Sequence, residues 1–132
     1  MIRKYSAFDE DRLNALLWAD KSDIVSVSRS KIADSNTLIH ENEDGIQGFF
    51  SWEIIKQGYP LINHLYVFKK FRKDYSRKLW KLLVATLRMK GFKHTITTAG
   101  NGAAMNRLYR RRYNVEPFRV GMEDSYYYVP LR

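Results

Sequence analysis

The chain contains no cysteine, and this absence excludes several kinds of site. A disulfide scaffold, a thiol nucleophile and a Cys-ligated zinc site all require that residue. The three histidines are scattered without metal-ligand spacing, so we expect no metal site. No segment approaches the roughly 18 apolar residues of a membrane span, and the first residues lack the apolar run of a signal peptide. We therefore expect a soluble, cytoplasmic protein that does not enter membranes.

Size and composition favour one domain. The chain has 132 residues, of which 45% are hydrophobic. A domain of this length buries roughly two thirds of the surface that its unfolded chain exposes. We therefore expect a single domain, residues 1–132, with one hydrophobic core.

Positive charge is concentrated in the second half of the chain. Residues 69–112 hold 14 of the 23 Lys and Arg residues and one acid, whereas residues 1–68 hold seven bases and ten acids. Such asymmetry indicates a polyanionic partner, either a coenzyme with phosphates or a nucleic acid backbone. A solvated basic surface that maintains solubility is the alternative.

A basic segment connects a predicted strand to a predicted helix. The strand ends at Leu65-Tyr66-Val67, and an amphipathic helix begins shortly after it. A strand, a tight turn and a helix N-terminus together direct unpaired backbone N–H groups and the positive end of the helix dipole towards an anion. Glycine, which lets a phosphate approach the backbone closely, is absent from this segment. The predicted anion site consists of Arg72, Lys73, Tyr75, Ser76, Arg77 and Lys78.

This segment resembles the central motif of the GNAT superfamily of acyl-CoA-dependent N-acetyltransferases. That motif is a strand ending Leu-Tyr-Val, then Pro-x-x-Arg-Gly-x-Gly-x-Gly, then a helix, and Arg72 matches its Arg. The small residues of the family are replaced here by Lys73, Tyr75 and Arg77. The resemblance implies acetyl-CoA as co-substrate and an amine as acceptor. It places acetyl-CoA beside the strand end at Leu65, Val67 and Phe68, with the backbone N–H of Val67 or Phe68 holding the carbonyl oxygen.

A second segment resembles the same family. Residues 101–115 are similar to Asn-x-x-Ala-x-x-Leu-Tyr-x-x-x-Gly-Phe, and Leu108-Tyr109 is the specific part. The resemblance implies that Asn101 contacts the pantetheine arm and that Tyr109 is the general acid beside the sulfur. A phenol with a pKa of about 10 can protonate a departing thiolate with a pKa near 8 to 9. The Asn-to-Tyr spacing differs by one residue from the family pattern, and Tyr113 replaces its Gly.

Two residues on predicted strands are candidates for the base that deprotonates the amine. His64 and Glu53 could each accept a proton directly or through a water molecule. A structural histidine and an ordinary exposed strand carboxylate are the alternatives. The predicted base is therefore either His64 or Glu53.

The order of predicted elements indicates an α+β fold. A hairpin is predicted at Asp44-Gly45, a short helix at residues 22–32, and a long helix from Asp74, its expected N-cap, to Lys90. Strands come first, then alternate with helices, then pair at the end. This order predicts a mixed, mostly antiparallel sheet with helices on both faces, as in the GNAT fold.

Two other functions compete with acetyl transfer. The first is a GNAT-fold protein without transfer activity that binds a partner or has a structural role, as in a phage virion. The second is a nucleic-acid-binding module that uses the basic half, particularly Arg107 and the run Arg110-Arg111-Arg112.

Overall fold

The strands and helices are defined by a computed structural model that describes all residues 1–132. The strands are β1 (Ile2–Lys4), β2 (Asn36–Asn42), β3 (Gly45–Ile54), β4 (Pro60–Val67), β5 (His94–Gly100), β6 (Arg119–Val120) and β7 (Asp124–Pro130). The helices are α1 (Glu10–Ala19), α2 (Arg72–Met89) and α3 (Met105–Arg107), and α3 continues as a π-helical turn over Leu108–Arg112. Every helix is too short or too polar to cross a membrane.

The seven strands form one sheet in the order β1-β2-β3-β4-β5-β7-β6. The pairs β1–β2, β2–β3, β5–β7 and β6–β7 are antiparallel, whereas β4 and β5 pair in parallel with Leu61 opposite Ile96. The predicted mixed, mostly antiparallel sheet is therefore confirmed.

The predicted hairpin at Asp44-Gly45 joins β2 to β3. Gly45 has a φ of +110°, a backbone conformation that residues with a side chain rarely adopt. Farther along, His40 pairs with Gly48 while Glu41 pairs with Ile46, so β3 carries a bulge with one extra residue. A Cβ atom on Gly48 would lie 2.4 Å from the Tyr66 carbonyl oxygen, so β3 and β4 approach each other closely only because this residue is glycine.

The chain folds into two compact units, and β4 and α2 contribute residues to both. The first unit comprises Met1–Glu53 and Asn63–Leu83, and the second comprises Ile54–Ile62 and Val84–Arg132. In the first unit, α1 packs against one face of the sheet in a buried cluster. That cluster contains Leu13, Leu17, Val27, Ile32, Ile39, Ile46, Phe49 and Phe68.

Helix α2 packs on the opposite face of the first unit. Gly48 and Phe49 are neighbours in β3, so they face opposite sides of the sheet. Phe49 belongs to the cluster with α1, whereas a Cβ on Gly48 would meet the Leu79 side chain of α2. The prediction of helices on both faces is thus confirmed for this unit.

Two local predictions are wrong. Residues 22–35 form turns instead of a second helix, because their serines compete for backbone groups and Lys31 adopts a positive φ of 59°. The Asn14 side chain supports the same segment, because its Oδ1 atom accepts a hydrogen bond from the Val27 N–H at 2.8 Å. Asp74 is not an N-cap, because α2 already begins at Arg72 and Asp74 lies within its first turn.

Candidate functional site

The end of β4 positions the backbone groups that were predicted to hold the thioester carbonyl. The Phe68 N–H donates to the Gln47 carbonyl of β3 at 3.0 Å, so this donor is already occupied. Of the two predicted donors, Phe68 would therefore have to give up this hydrogen bond to bind a thioester oxygen, and Val67 stays a prediction. The Val67 side chain lines a small space beside Leu79 of α2, and Leu65 shares that face of β4 by strand alternation.

Asp20 places a carboxylate at the turn between β4 and α2. Asp20 lies just after α1, and its Oδ2 atom accepts the Lys69 N–H at 3.1 Å and the Tyr66 hydroxyl at 2.5 Å. Burial raises the pKa of Tyr66, and the hydrogen bond to Asp20 raises it further. One backbone N–H just before the predicted anion site, that of Lys69, thus already binds an anion that belongs to the protein.

Arg72 turns back onto the strand that precedes it. Its Nε atom donates to the Val67 carbonyl at 2.9 Å, and its guanidinium carbon lies 5.4 Å from the Tyr66 ring centre. This contact ties the first residue of α2 to the end of β4. The Nε atom of Arg72 therefore positions the strand end, and the phosphate contact of its exposed guanidinium stays a prediction.

The other cations of the turn and the first part of α2 face solvent. The exposed side chains are Lys69, Lys70, Lys73, Arg77 and Lys78. Ser76 is also exposed, and its hydroxyl donates to the Arg72 carbonyl at 2.8 Å. We call these five cations the basic turn; they include Lys73, Arg77 and Lys78 of the predicted anion site.

Tyr75 packs against the sheet. Its ring centre lies 5.5 Å from that of His40 and 5.8 Å from that of Phe71, and its hydroxyl accepts a hydrogen bond from Asn42 Nδ2 at 3.0 Å. Lys78 approaches the same ring with its Nζ atom 5.3 Å from the centre. Burial lowers the pKa of His40, and the positive N-terminus and Lys78 lower it further. Tyr75 stands where the GNAT motif has a small residue, and its side chain connects α2 to β2 through these contacts.

His64 binds the backbone of the segment that follows α1. Its Nε2 atom lies 3.1 Å from the Ser30 carbonyl oxygen, so Nε2 carries the proton and donates it. The neighbouring Asn63 donates to the Ser35 hydroxyl at 3.0 Å. These bonds hold residues 22–35 against β4, and a base at His64 would have to use Nδ1.

Glu53 lies at the opposite end of β3 from the basic turn. Gln47 contacts Phe68 at the end of β4, and Glu53 is six residues farther along β3. At about 3.3 Å per strand residue, that separation is roughly 20 Å. The structure therefore does not bring Glu53 to the strand end at Val67.

In the second unit, Asn101 joins the end of β5 to the turn between β6 and β7. Its Nδ2 atom donates to the carbonyls of Gly121 and Met122 at 3.0 and 3.1 Å. Its Oδ1 atom accepts the Ser125 hydroxyl at 2.8 Å. Both amide hydrogens and one lone pair of Oδ1 are used within the protein, so the predicted pantetheine contact would have to use the other lone pair or displace a bond.

Tyr109 is buried in the π-helical turn that follows α3. Its side chain is 1% exposed, and its hydroxyl lies 3.1 Å from Thr97 Oγ1 on β5. Its ring centre lies 4.8 Å from that of Tyr127. Burial raises the pKa of Tyr109 to about 12, so the phenol keeps its proton at neutral pH and can serve as an acid but not as a base.

Three residues with long-range partners gave no signal in the sequence. Asp20 lies 49 positions before its partner Lys69, and the Gln47 carbonyl on β3 accepts the Phe68 N–H at the end of the neighbouring strand β4. Asn106 accepts the Tyr127 hydroxyl at 2.6 Å and donates to the Gly100 carbonyl at 2.7 Å. No local pattern marks such long-range partners.

Comparison with solved structures identifies the fold. No family model and no curated protein sequence matches the chain. The Escherichia coli ribosomal-protein-S18-alanine N-acetyltransferase is similar with a TM-score of 0.75 and 11% identity, over 99% of this chain and 93% of that one. Ard1 from Thermoplasma volcanium gives a TM-score of 0.74 and 10% identity, over 98% of this chain and 96% of that one.

A third similar structure is an acetyltransferase of the GNAT family from Staphylococcus aureus Mu50. Its TM-score is 0.73 at 10% identity, and the alignment covers 100% of this chain and 99% of that one. At such low identity, a likeness of this extent concerns the fold alone.

Proposed function

Because the chain has the fold of the GNAT N-acetyltransferases, we propose that it is an acyl-CoA-dependent N-acyltransferase that moves an acetyl group from acetyl-CoA to an amine. The amine belongs to a small molecule or a protein. The observation that carries this proposal is the strand end at Val67 running directly into the exposed basic turn. That arrangement combines a backbone donor for the thioester with cations for the coenzyme phosphates.

The reaction requires few side chains. The amine nitrogen attacks the thioester carbon, and the carbonyl oxygen becomes negative while the Val67 N–H stabilises it. The C–S bond then breaks, coenzyme A leaves as a thiolate, and the amine proton passes to a base such as His64. Tyr109 retains its proton at neutral pH and is the proposed donor to the thiolate.

The basic turn makes the coenzyme site directly testable. We would titrate acetyl-CoA into the protein by calorimetry and compare Lys73→Ala with Lys81→Ala. Both lysines are exposed on α2, but Lys73 lies in the first turn and Lys81 about two turns later. The proposal expects saturable binding that Lys73→Ala weakens several-fold and Lys81→Ala leaves nearly unchanged. Equal effects of both substitutions, or no binding by the wild type, would contradict the site.

A GNAT-fold protein that binds without transfer is the second candidate. The burial of Tyr109 and the hydrogen bonds that Asn101 makes within the protein favour it, since both side chains already have partners. Transfer of radiolabelled acetyl groups to a broad amine panel separates the two candidates. Saturable acetyl-CoA binding without transfer to any amine would support the second candidate over the first.

Nucleic acid is a further partner that the positive charge favours. Exposed arginines at positions 107, 110, 111 and 112 lie in the second unit. If they bind phosphates, the affinity for a random duplex falls steeply with salt, because each neutralised phosphate releases a counterion. A salt-insensitive interaction, or none, would contradict this function.

A further inference from the structure

Helix α2 carries a line of positive charge on its exposed side. Lys73, Arg77 and Lys81 are all exposed, and each follows the previous one after four residues. Residues four apart lie on the same face of an α-helix, about 6 Å apart along its axis. We call these three cations the basic stripe. It shares Lys73 and Arg77 with the basic turn and continues along the helix to Lys81, over about 12 Å in all.

The cations of the basic stripe are not neutralised by acids of this chain. The ion pairs of the structure involve the cations Arg3, Arg12 and Arg110, and none of them includes the stripe. Asp74 is the single acid among residues 69–89, and it forms no ion pair with the stripe. The positive charge of the stripe is therefore free to attract an anionic partner.

The surface around the basic stripe is polar throughout. Between Arg72 and Leu83, every exposed residue of α2 is charged or is a serine, whereas the large apolar residues Leu79, Trp80 and Leu83 are buried. A helix that lies on a membrane needs an exposed apolar face, and the centre of a protein interface is mostly apolar. The backbone of a nucleic acid is bound by charge and needs neither. The stripe therefore fits a nucleic acid better than a lipid surface or a protein.

The rings of this part of α2 are not presented to a single strand. Proteins bind single-stranded nucleic acids by stacking the bases on aromatic side chains. The Tyr75 ring packs against His40 and Phe71, with ring centres 5.5 and 5.8 Å apart, and Trp80 is buried. A duplex offers its phosphates without its bases, and it carries one negative charge per about 1.7 Å, or about seven charges over the 12 Å of the stripe. The basic stripe therefore favours a duplex.

The arginines of the second unit are engaged in part. The Arg110 Nε atom donates to the Tyr127 hydroxyl at 3.3 Å and lies 3.8 Å from a Glu116 oxygen. The guanidinium carbon of Arg112 lies 6.0 Å from the Tyr113 ring centre. A duplex bound by these arginines would compete with their present contacts, whereas the basic stripe has no ion pair to lose.

We propose that the basic stripe of α2 binds the phosphate backbone of double-stranded nucleic acid, whatever its sequence. This inference rests on the nucleic-acid function described above and assigns that function to a different surface. Three phosphate contacts predict that log affinity falls against log salt concentration with a slope of about −2.7. Between about 50 and about 200 mM salt, the affinity should therefore fall about fortyfold.

Fluorescence anisotropy of a labelled random duplex of about 20 base pairs, measured between about 50 and about 200 mM salt, tests this surface. Lys81→Ala should weaken binding several-fold at the lowest salt concentration and reduce the slope by about one. The matched control is Lys4→Ala, which removes an exposed lysine of β1 in the first unit and should leave the slope unchanged. Circular dichroism checks that each variant is folded.

The outcomes separate the surface from the function. If Arg111→Ala reduces the slope and Lys81→Ala does not, the stripe is overturned while the nucleic-acid function stands. Equal losses in Lys81→Ala and Lys4→Ala would show an effect of net charge and would also overturn the stripe. No duplex binding at about 50 mM salt would overturn both the stripe and the nucleic-acid function, and it would leave acetyl transfer to its own test with acetyl-CoA.

Discussion

Replacing Asp20 by Asn removes the negative charge that lies beside the basic turn and keeps an oxygen atom in the same place. The Asn oxygen can still accept the Lys69 N–H and the Tyr66 hydroxyl, which Asp20 binds at 3.1 and 2.5 Å. If the basic turn holds the phosphates of coenzyme A, the Asp20 carboxylate repels them. We therefore expect Asp20→Asn to bind acetyl-CoA more tightly than the wild type.

The size of this effect follows from the distance between the charges. We take a separation of roughly 8 Å between a phosphate on the basic turn and the Asp20 carboxylate as the reference distance. Coulomb's law gives about 0.5 kcal/mol for unit charges at that distance in water and about 2 kcal/mol at a surface dielectric constant of about 20. These energies correspond to a gain of about twofold to thirtyfold in affinity. Screening at physiological salt reduces the gain towards the lower value.

Calorimetric titration of acetyl-CoA at about 20 and about 150 mM salt measures the gain, which should be larger at low salt. Asp11→Asn is the control, because it removes an exposed carboxylate nine residues earlier, in the first turn of α1. Unchanged or weaker binding by a folded Asp20→Asn protein would refute the electrostatic reasoning. Equal gains in both variants would show a general charge effect instead of a local one.

Three further changes have definite expected outcomes. Asp9→Asn should lower the unfolding free energy by about 2 kcal/mol at pH 7, because Asp9 binds Arg3 through two bonds of 2.7 and 2.8 Å. The same bonds hold the pKa of Asp9 below its usual range, so the stabilisation by Asp9 is complete above about pH 4 and disappears as the pH falls through that lowered pKa. The difference between the denaturation curves of the wild type and Asp9→Asn should therefore vanish in acid. A difference that persists in acid would contradict the pairing. Gly48→Ala should lower the unfolding free energy, measured by denaturant titration, by several kcal/mol. Gly102→Ala should change it little, because a Cβ there meets no atom within 4 Å. Equal effects of both substitutions would contradict the close approach of β3 and β4. Tyr109→Phe should lower the unfolding free energy by about 1 kcal/mol, because the hydroxyl contacts Thr97. If this phenol is the acid, kcat should also fall at least tenfold. Unchanged turnover in an active enzyme would remove Tyr109 from the mechanism.

Local signals predicted much of the fold. Asp44-Gly45 marked a hairpin because a positive φ is needed at the glycine, and Gly45 has one. The long helix ends at Met89, two residues before Gly91, whose φ of +91° is typical of a glycine just after a helix. Residues 22–32 are predicted as a short helix, but Val27 and Ile32 enter the core from a series of turns. The conformation of this segment was therefore determined by the burial of these two side chains in the folded chain and not by the spacing of its apolar residues.

The site was less accessible to prediction from the sequence. A family pattern can assign a role to Asn101 or Arg72, but it cannot show which partner the side chain binds. Asn101 is engaged by backbone carbonyls 20 and 21 positions away, and Arg72 by the carbonyl of Val67. The carboxylate of Asp20, which meets the predicted anion site, comes from the end of a different helix. Each partner is determined by the folded chain and leaves no local trace.

The π-helical turn at Leu108–Arg112 has a consequence for how chains of this kind change length during evolution. A π turn contains one residue more than an α turn, so one residue can be lost from it while the helix continues. Insertion or deletion elsewhere in a helix rotates everything beyond it by about 100°, since an α-helix has 3.6 residues per turn. In an alignment of related chains, a single-residue gap should therefore fall within these five positions, next to the buried Tyr109, and not in the long helix α2.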